Sequence, residues 1–304
     1  MATVGLVGLG LLGHAVASRL RAGGHAVVGY DVVPERVEAL AALGGRGAGS
    51  VAEVARASEA VCTLLPSLST VEEAILGPAG ILSSAPSGQT VIQMSTISPA
   101  LTERLARETA GRGLSFLDAP ISGTSAMVER GEGLCLLGGE RAVFDRWRPV
   151  LETVLRSVYV GAAGQAMVVK LAANLLVAVN TLAAAEALLM MERAGLAPDV
   201  VFEILTGGAA SSRMLEVRGP LIIRRDFPAQ MKLELFMKDL HLIQDAAAAV
   251  GAPVPLTDVA ERLYAAASAG GHGAEDLSVV VRALEALTRG TPGEGTARGP
   301  AVDP

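Results

Sequence analysis

Two polar side chains interrupt a long apolar stretch near the middle of the chain. Within GQAMVVKLAANLLVAVNTLAAAEALLM, which runs from Gly164 to Met190, Lys170 and Asn174 are four residues apart. Four residues is about one helical turn, so both side chains project from one face of the predicted helix. Burial disfavours a charged ammonium and lowers its pKa, so a lysine here could exchange a proton near neutral pH. The alternative is a lysine whose stem covers apolar surface while its head stays in water.

Two further stretches carry residues that could bind or react. In FMKDLHLI, Lys238 and Asp239 interrupt an apolar helical pattern, although an exposed ion pair at a helix edge gives the same spacing. In DAPISGT, which spans Asp118 to Thr124, small residues follow a predicted strand. Small residues expose backbone N–H groups that can hold a carboxylate, and an ordinary Ser-Gly turn is the alternative.

A glycine pattern follows the first predicted strand. GLVGLGLLG contains Gly8-x-Gly10-x-x-Gly13 and opens a helix. Gly8 permits a tight turn, Gly10 lets a pyrophosphate approach the backbone, and Gly13 lets the helix pack closely on the strand. The first helical residues, Leu11 and Leu12, offer N–H groups and the positive end of the helix dipole to phosphates. The pattern predicts a dinucleotide site.

The second predicted strand, HAVVGYD, ends at Asp31. A carboxylate at this place accepts hydrogen bonds from a ribose 2′-hydroxyl and repels a 2′-phosphate, so the sequence favours NAD over NADP. Two other interpretations stay open. Asp31 could simply cap the loop before Pro34, and Arg36, five residues after Asp31, could reach a phosphate.

Strand-like and helix-like segments alternate from Thr3 to about Gly161. Continuous apolar runs such as AVCTLLP and QTVIQMST alternate with helical patterns such as PERVEALAAL and PALTERLARETAGRG. This alternation predicts a parallel sheet that is covered by helices on both faces. In STVEEAIL, the helix is expected to be capped by Ser69.

After Gly161 the pattern changes, because only helical segments follow. They cover roughly residues 164–194, 198–205, 211–219, 232–250, 257–269 and 274–287. We therefore predict a dinucleotide-binding α/β domain over residues 1–162 and an all-helical substrate and oligomerisation domain over 163–289. The tail, 290–304, is rich in Gly, Pro and Thr and lacks a core-forming pattern, which predicts disorder.

The composition excludes several classes of function. The net charge is -6 with no long run of one sign, and aromatic residues make up 3% of the 304 residues, which argues against nucleic-acid binding. The two cysteines lie in apolar runs and the four histidines lack metal-ligand spacing, so we expect no metal and a reducing compartment, the cytoplasm. The polar residues of the long apolar helix argue against a membrane span.

Four motifs occur in one order and together resemble the β-hydroxyacid dehydrogenase family, which includes 3-hydroxyisobutyrate dehydrogenase and tartronate semialdehyde (glyoxylate) reductase. They are GLVGLGLLG, DAPISGT, GQAMVVKLAANLL and KDL, and the resemblance covers about residues 3 to 288. It implies a Rossmann domain with a doubly wound parallel sheet, followed by an all-α domain. It also implies reversible hydride transfer between a nicotinamide cofactor and a small β-hydroxy acid or semialdehyde, most like that of 3-hydroxyisobutyrate dehydrogenase.

The resemblance assigns roles to residues around the substrate. It implies that Lys170 is the catalytic residue and that Asn174 orients the substrate. Ser122 and Gly123 would hold the substrate carboxylate. Thr124 stands where the family usually has a second glycine, so its side chain either narrows the pocket or supplies a hydroxyl contact.

The resemblance also implies contacts with the cofactor. The loops after the later strands would touch it, by position through Leu65 and Pro66 of CTLLPS and through Ser95 and Thr96 of QMSTIS. Lys238 of KDL would lie beside the nicotinamide end.

Two alternatives remain open at this point. Among enzymes, the alternative is an NADP-dependent reductase of glyoxylate, succinic semialdehyde or tartronate semialdehyde. Outside enzymes, it is a dinucleotide-binding regulator without turnover, which would not require Lys170 together with Asn174. The apolar C-terminal helices and the family relatives indicate a homodimer or homotetramer.

Overall fold

The computed structural model describes residues 1–289. The chain groups into two compact units. The first contains Met1–Val177 and Leu235–Thr257, and the second contains Ala178–Glu234 and the described residues from Asp258 onward. The predicted domain boundary at residue 162 follows secondary-structure content rather than contacts and stays a prediction. The predicted disordered tail, 290–304, lies outside the described residues.

The first unit contains a nine-stranded sheet. Its strands are β1 (Thr3–Val7), β2 (Ala26–Tyr30), β3 (Arg46–Gly47), β4 (Ala60–Thr63), β5 (Thr90–Gln93), β6 (Ser115–Asp118), β7 (Ile121–Ser122), β8 (Leu134–Gly139) and β9 (Arg156–Gly161). Their spatial order is β3-β2-β1-β4-β5-β6-β8-β7, and β9 pairs with β8. The chain thus winds outward from β1 in both directions, as expected for a doubly wound sheet.

Strands β1 to β6 pair in parallel, which confirms the predicted mainly parallel sheet. Strand β8 differs, because it is antiparallel to both β6 and β7. The pairs Leu117–Gly139 and Ile121–Cys135 have the same register against β8. Strands β6 and β7 therefore follow one another along β8 and are interrupted only around Pro120. Proline lacks an N–H and cannot donate to the ladder, which explains the interruption.

Helices cover both faces of this sheet. The helices of the first unit are α1 (Leu11–Ala22), α2 (Pro34–Ala42), α3 (Val51–Arg56), α4 (Leu68–Leu76), α5 (Ile81–Ser84), α6 (Pro99–Gly111), α7 (Ser125–Glu129), α8 (Arg141–Leu151), the start of α9 (Gln165–Arg193) and most of α12 (Leu233–Ala249). Strand residues alternate between two apolar clusters, since Leu6 and Cys62 lie in one and Val7 and Val61 in the other. Burial on both faces explains why these strands read as continuous apolar runs.

The start of α4 corrects one prediction. The helix begins at Leu68 and its cap is Ser67, so the predicted cap, Ser69, is wrong. Ser67 Oγ accepts the N–H of Thr70 at 3.1 Å, and Thr70 Oγ1 accepts the N–H of Ser67 at 3.2 Å. This reciprocal pair satisfies two N–H donors that would otherwise lack partners at a helix start.

The described residues of the second unit are helical apart from their connections. After the end of α9 come α10 (Pro198–Gly207), α11 (Arg213–Arg224), the start of α12, α13 (Pro255–Ala267, whose first residues belong to the first unit), a π-helical turn (Ser268–His272), a 3-10 turn (Leu277–Val280) and α14 (Val281–Arg289). The predicted helix over 274–287 is therefore wrong in its first half. There the buried carboxylate of Asp276 accepts the N–H of Ser278 and pairs with Arg218 at 3.0 Å, which fixes a turn instead.

Helix α9 is long and apolar enough to cross a membrane by length and composition, and no other helix of residues 1–289 is. A core helix of a protein without a membrane span passes the same test. Lys170 and Asn174 of α9 are buried against protein. A lipid-facing helix would be destabilised by both, so we attribute the apolar character of α9 to packing within the protein.

Candidate active site

The carboxyl ends of five neighbouring strands lie along one edge of the sheet. In the order β2, β1, β4, β5 and β6, these strands are parallel to one another. The predicted site residues that follow them are Asp31 after β2, Gly8 to Gly13 after β1, Leu65 and Pro66 after β4, Ser95 and Thr96 after β5, and Ser122 to Thr124 beyond β6 and β7. Ligands of open parallel sheets bind along this edge.

The turn after β1 requires two of its three glycines for geometric reasons. Gly8 has φ +98°, and a Cβ atom there would lie 2.2 Å from the carbonyl oxygen of Leu64. A Cβ atom on Gly13 would lie 2.1 Å from the carbonyl oxygen of Gly8. Gly10 is different, because a Cβ atom there would meet no atom within 4 Å. The space in front of Gly10 is therefore open to a ligand, as close approach of a pyrophosphate requires.

The N-terminus of α1 is suited to an anion. Gly10 caps it without a side-chain hydrogen bond, and no acidic residue lies in the first turn. The N–H groups at Leu11 and Leu12 and the positive end of the helix dipole are thus not neutralised by a local carboxylate. The side chain of Leu11 is exposed, as expected at the mouth of a binding cleft. These features fit the phosphates of a dinucleotide.

Asp31 makes the loop contact before Pro34 that was left open as an alternative, and it has two further local partners. Its carboxylate accepts the N–H of Leu9 at 2.7 Å and the N–H of Val33 at 3.0 Å. Arg36 Nη1 forms an ion pair with the same carboxylate at 3.2 Å. Asp31 therefore helps to shape the glycine turn in addition to the cofactor role that was predicted.

The loops after β4 and β5 are joined by one buried hydroxyl. Ser95 Oγ accepts the N–H of Leu65 at 2.8 Å and donates to the carbonyl oxygen of Thr63 at 3.2 Å. The side chain of Ser95 is thus committed to holding the two loops side by side. A cofactor contact of Ser95 stays a prediction, and its backbone is the part best able to make one.

Lys170 and Asn174 of α9 are buried, and the sequence alternative of a solvated lysine is therefore wrong. Lys170 is 8% exposed and Asn174 is 4% exposed. Asn174 Nδ2 donates a hydrogen bond of 2.8 Å to Oδ2 of Asp239, which is itself buried on α12. The amide of Asn174 is held in one orientation beside the lysine.

Lys238 joins this cluster to the end of β5. Its Nζ forms an ion pair with Asp239 Oδ1 at 3.0 Å and donates a hydrogen bond to the backbone oxygen of Thr96. The structure thus brings together Lys170, Asn174 and Lys238 with the loop of Thr96, all of which were predicted as site residues. Placement of Lys238 beside a nicotinamide stays a prediction.

Three effects set the pKa of Lys170, and burial is the largest. Burial lowers the pKa from its ordinary value to about 8. The carboxylate of Asp239 opposes this shift, because a nearby negative charge favours the ammonium. The positive charge of Lys238 adds to the lowering. The resulting amine is able to accept or donate a proton near neutral pH, as a general base or acid requires.

In the Ser-Gly-Thr segment, Gly123 has free space beside its backbone and Thr124 has a fixed side chain. A Cβ atom added to Gly123 would come no closer than 3.5 Å to any neighbour, so the protein itself does not require glycine there. Thr124 caps α7, and its Oγ1 accepts the N–H of Met127 at 3.3 Å. One acceptor position of the Thr124 hydroxyl is therefore used, and its O–H proton is available to a ligand.

The sequence pointed to Asp239 as a residue that could bind or react, but not to its hydrogen bond with Asn174. The signal was present, because an amide such as Asn174 on an apolar face needs a buried acceptor, and KDL supplies a carboxylate. Among the described residues, no group of three or more His, Cys, Asp or Glu side chains is arranged to bind a metal. The chemistry of this cluster is that of an amine, an amide and a carboxylate.

The fold and the glycine turn define a dinucleotide-binding protein, and two family models match it. Residues 3–164 match the NAD binding domain of 6-phosphogluconate dehydrogenase. Residues 164–284 match the NAD-binding domain of NADP-dependent 3-hydroxyisobutyrate dehydrogenase.

Relatives of similar length match nearly the whole chain. The chain is 35% identical to the 2-hydroxy-3-oxopropionate reductase of Escherichia coli, over 93% of this chain and 97% of the relative. It is 33% identical to the 2-(hydroxymethyl)glutarate dehydrogenase of Eubacterium barkeri, over 94% of this chain and 95% of the relative. Its fold is similar to the crystal structure of 3-hydroxyisobutyrate dehydrogenase from Salmonella typhimurium, with a TM-score of 0.85, 32% identity and coverage of 93% of this chain and 99% of that one.

The chain belongs to the β-hydroxyacid dehydrogenase family, which includes 3-hydroxyisobutyrate dehydrogenase. It is an NAD(P)-dependent oxidoreductase that acts on a CH–OH group. The alternative of a dinucleotide-binding regulator without turnover is therefore set aside.

The glycine turn yields a prediction that separates folding from binding. Gly13→Ala places a methyl group against the backbone oxygen of Gly8, which cannot move cheaply, and lowers the free energy of unfolding by about 1–3 kcal/mol. In Gly10→Ala the added methyl group points into open space, so the free energy of unfolding falls by less than about 1 kcal/mol. NADH binding is nevertheless weakened by about tenfold or more, because the methyl group occupies the space through which the pyrophosphate approaches the backbone. Urea denaturation and NADH fluorescence titration measure the two effects.

Gly24→Ala serves as the control for this pair. Gly24 lies in the turn after α1 with φ +79°, and an added Cβ atom there meets no neighbour. It should cost stability through backbone strain and leave NADH binding unchanged. Gly10→Ala with unchanged NADH affinity would contradict the assignment of the glycine turn to the cofactor.

Proposed function

We propose that this enzyme transfers a hydride reversibly between NAD and a small β-hydroxy acid or its semialdehyde, most like 3-hydroxyisobutyrate dehydrogenase. One observation carries the proposal. A buried amine with a pKa of about 8, that of Lys170, lies with Asn174 and Asp239 in the unit that contains the dinucleotide fold. Such an amine suits proton exchange with an alcohol, and neither folding nor dinucleotide binding requires it.

NAD, when bound, supplies the hydride acceptor for oxidation of the alcohol carbon. We assign its pyrophosphate to the N–H groups of the glycine turn and its adenosine ribose to Asp31. The remaining contacts are proposed along the same sheet edge. The full set is Gly8, Gly10, Leu11, Leu12, Gly13, Asp31, Leu65, Pro66, Ser95, Thr96 and Lys238.

Lys170 handles the proton of the substrate hydroxyl. In oxidation its neutral amine accepts that proton while the carbon loses hydride, so the product is a carbonyl and the lysine becomes an ammonium. In reduction the ammonium returns the proton to the forming alkoxide. Asp239 and Lys238 set the balance between the two forms of the amine, because their charges act on it in opposite directions.

The substrate is held by groups on both sides of this amine. We propose that Asn174 orients the hydroxyl, since its amide is fixed by Asp239. Ser122 and the open backbone at Gly123 are assigned to the substrate carboxylate. Thr124 contributes shape and its O–H proton, because its oxygen already accepts a hydrogen bond from Met127.

The competing proposal is an NADP-dependent reductase of glyoxylate, succinic semialdehyde or tartronate semialdehyde. Relatives at 33% and 35% identity are named for different acids, so the family alone does not select the substrate. We favour NAD because Arg36 is already paired with Asp31. We favour 3-hydroxyisobutyrate-like acids because residues 164–284 match a family model of 3-hydroxyisobutyrate dehydrogenase.

Two further proposals concern the setting of the enzyme. We propose a homodimer or homotetramer, supported by exposed apolar side chains of the second unit such as Met190, Val200 and Ile204. Sedimentation that shows only monomer at micromolar concentration would contradict it.

We propose the cytoplasm as the compartment, because Cys62 and Cys135 are both buried and form no disulfide; fractionation of the source cells tests this.

The experiment that tests the function is turnover of the Lys170 variants. Wild-type protein should change the absorbance of NADH with at least one of 3-hydroxyisobutyrate, glycerate, 4-hydroxybutyrate or serine-like acids, or with the corresponding aldehydes. Lys170→Ala should lower kcat about a hundred- to ten-thousand-fold, because proton transfer by a placed side chain contributes that much. NADH affinity, measured by fluorescence, should stay within about threefold of wild type because the proposed pyrophosphate contacts are unchanged.

Two variants serve as controls for Lys170→Ala. Lys170→Arg keeps the positive charge but cannot release a proton near neutral pH, so it should be as inactive as the alanine variant. Lys232→Ala removes a lysine of the second unit that is about half exposed, and it should retain full turnover. Near-normal kcat in Lys170→Ala would remove the lysine from the reaction and overturn the proposed function.

The pKa of Lys170 predicts opposite pH profiles in the two directions. Oxidation needs the neutral amine, so kcat/KM for the hydroxy acid should rise as pH increases through about 8 and level off above it. Reduction needs the ammonium, so kcat/KM for the aldehyde should be highest below about 8 and fall above it. Initial rates between pH 6 and 10, with saturating cofactor and with substrate well below its KM, measure both profiles. Profiles that move in the same direction would contradict proton transfer by this amine.

The cofactor preference yields a separate prediction at the end of β2. Asp31→Ser removes the negative charge and releases Arg36, so kcat/KM with NADP should improve relative to NAD by about 10- to 100-fold, which is 1.4–2.7 kcal/mol. Wild type should favour NAD. Arg36→Ala, the matched control, keeps the backbone hydrogen bonds of Asp31 and should not improve the use of NADP. The prediction would be contradicted if wild type preferred NADP and Arg36→Ala lost that preference. Arg36 would then leave Asp31 and bind the 2′-phosphate.

A further inference from the structure

Asp118, at the end of β6, makes contacts that the proposed reaction does not use. The residue is fully buried. Its Oδ2 accepts the N–H of Gly164 at 3.1 Å and the N–H of Met167 at 3.0 Å. Gly164 immediately precedes α9 and Met167 lies in its first turn, 46 and 49 residues after Asp118. Asp118 therefore caps a helix from a distant strand.

The carboxylate of Asp118 connects the beginning of α9 to strand β6 of the sheet. The first N–H groups of a helix lack intrahelical partners, and a carboxylate there also compensates the positive end of the helix dipole. Gly164 has φ +93°, which marks the turn at which the chain enters α9. Because β6 is an interior strand of the sheet, its end is a rigid point to which the helix is attached.

The attachment lies one turn before the reacting amine. Lys170 is three residues beyond Met167, on the next turn of the same helix. One turn further, Asn174 is held by Asp239. The segment that carries Lys170 is thus fixed at both ends by carboxylates from other elements. A shift or rotation of its first turn would displace the amine directly.

We infer that Asp118 is a positioning residue, whose carboxylate fixes the first turn of α9 and thereby the place of the Lys170 amine. The inference rests on the proposed function of Lys170. It assigns no contact between Asp118 and the substrate or cofactor. A displacement of about 1 Å in a reacting group is enough to lower turnover by about a hundredfold, so loss of this attachment should act on kcat.

The charge of Asp118 is compatible with this role. Burial raises the pKa of its carboxyl to about 7, and the N–H groups of Met167 and Gly164 oppose the rise because they favour the carboxylate. The other titratable group that faces it is the thiol of Cys135 on β8, whose pKa burial raises to about 12, so the thiol is neutral. Assays at about pH 9 therefore examine the ionised carboxylate together with the neutral Lys170 amine.

The test compares Asp118→Ala with Asp118→Asn in the oxidation of a hydroxy acid at about pH 9. The substrate is the acid for which the wild-type protein shows the highest kcat. Asp118→Ala loses both hydrogen bonds, and its kcat should fall by about tenfold or more, with KM for substrate and Kd for NADH within about threefold. Asn keeps an oxygen that can accept both N–H groups, so Asp118→Asn should recover kcat to within about threefold of wild type.

A measurement that does not depend on activity accompanies the kinetics. Hydrogen exchange of a peptide that covers Gly164 to Lys170 should be faster in Asp118→Ala than in wild type and slow again in Asp118→Asn. If Asp118→Ala does not fold, Asp118→Ser replaces it, because a serine hydroxyl is one atom shorter and reaches the N–H groups poorly.

A matched cap elsewhere in the first unit separates positioning from stability. Ser50 caps α3, and its Oγ accepts the N–H of Glu53 at 3.2 Å. Ser50→Ala should lower the melting temperature and leave kcat unchanged. The inference is overturned if folded Asp118→Ala keeps kcat within about twofold of wild type. It is also overturned if the loss of activity in Asp118→Ala is fully accounted for by a smaller fraction of folded protein, because Asp118 is then only a structural cap.

The Lys170→Ala variant distinguishes this failure from that of the proposed function. If Lys170→Ala loses turnover and Asp118→Ala keeps it, only the positioning role is overturned. If Lys170→Ala keeps turnover, the proposed function fails, and the role of Asp118 fails with it. Loss of kcat in both alanine variants, with recovery in Asp118→Asn, supports both.

Discussion

An ammonium group taken out of water must be compensated by nearby charge or must lose its proton, and this constraint shapes the site around Lys170. Burial favours the neutral amine, whereas the carboxylate of Asp239 favours the charged form. A carboxylate without competition would hold the lysine permanently charged, as in an ordinary ion pair. Lys238 prevents this, since it pairs with the same carboxylate and shares its charge. The result is an amine poised between its two protonation states.

The parallel sheet explains why these residues lie in the same unit as the glycine turn. Each strand from β1 to β6 delivers the loop after it to one edge, and loops remote in sequence become neighbours there. Thr96, after β5, then accepts a hydrogen bond from Lys238 of α12. Asp118, after β6, accepts two from the start of α9. The helices that bear the chemistry are therefore tied to the ends of the strands that form the dinucleotide fold.

Local patterns predicted most elements of the fold and named candidate site residues, but they did not predict the partners of those residues. Alternation of apolar strands and helices predicted the sheet, and Lys170 and Asn174 were found from their spacing on one helix face. Asp239 was missed as their partner because it lies 65 residues after Asn174, and no periodic pattern links two helices at that separation. The break before α14 was missed for the same reason, since Arg218 pairs with a carboxylate 58 residues later.

The division of labour in the site explains how relatives with this fold can act on different acids. In the proposed function, Lys170, Asn174 and Asp239 act only on the hydroxyl and its proton, and Ser122 with Gly123 binds only the carboxylate. These are the parts that all β-hydroxy acids share. Selectivity must then arise from side chains that meet the rest of the molecule, where a hydrophobic contact discriminates by about 1–3 kcal/mol per methylene group. Thr124 is suited to this, because the hydrogen bond from Met127 to its oxygen fixes the side chain, and a fixed side chain selects by shape.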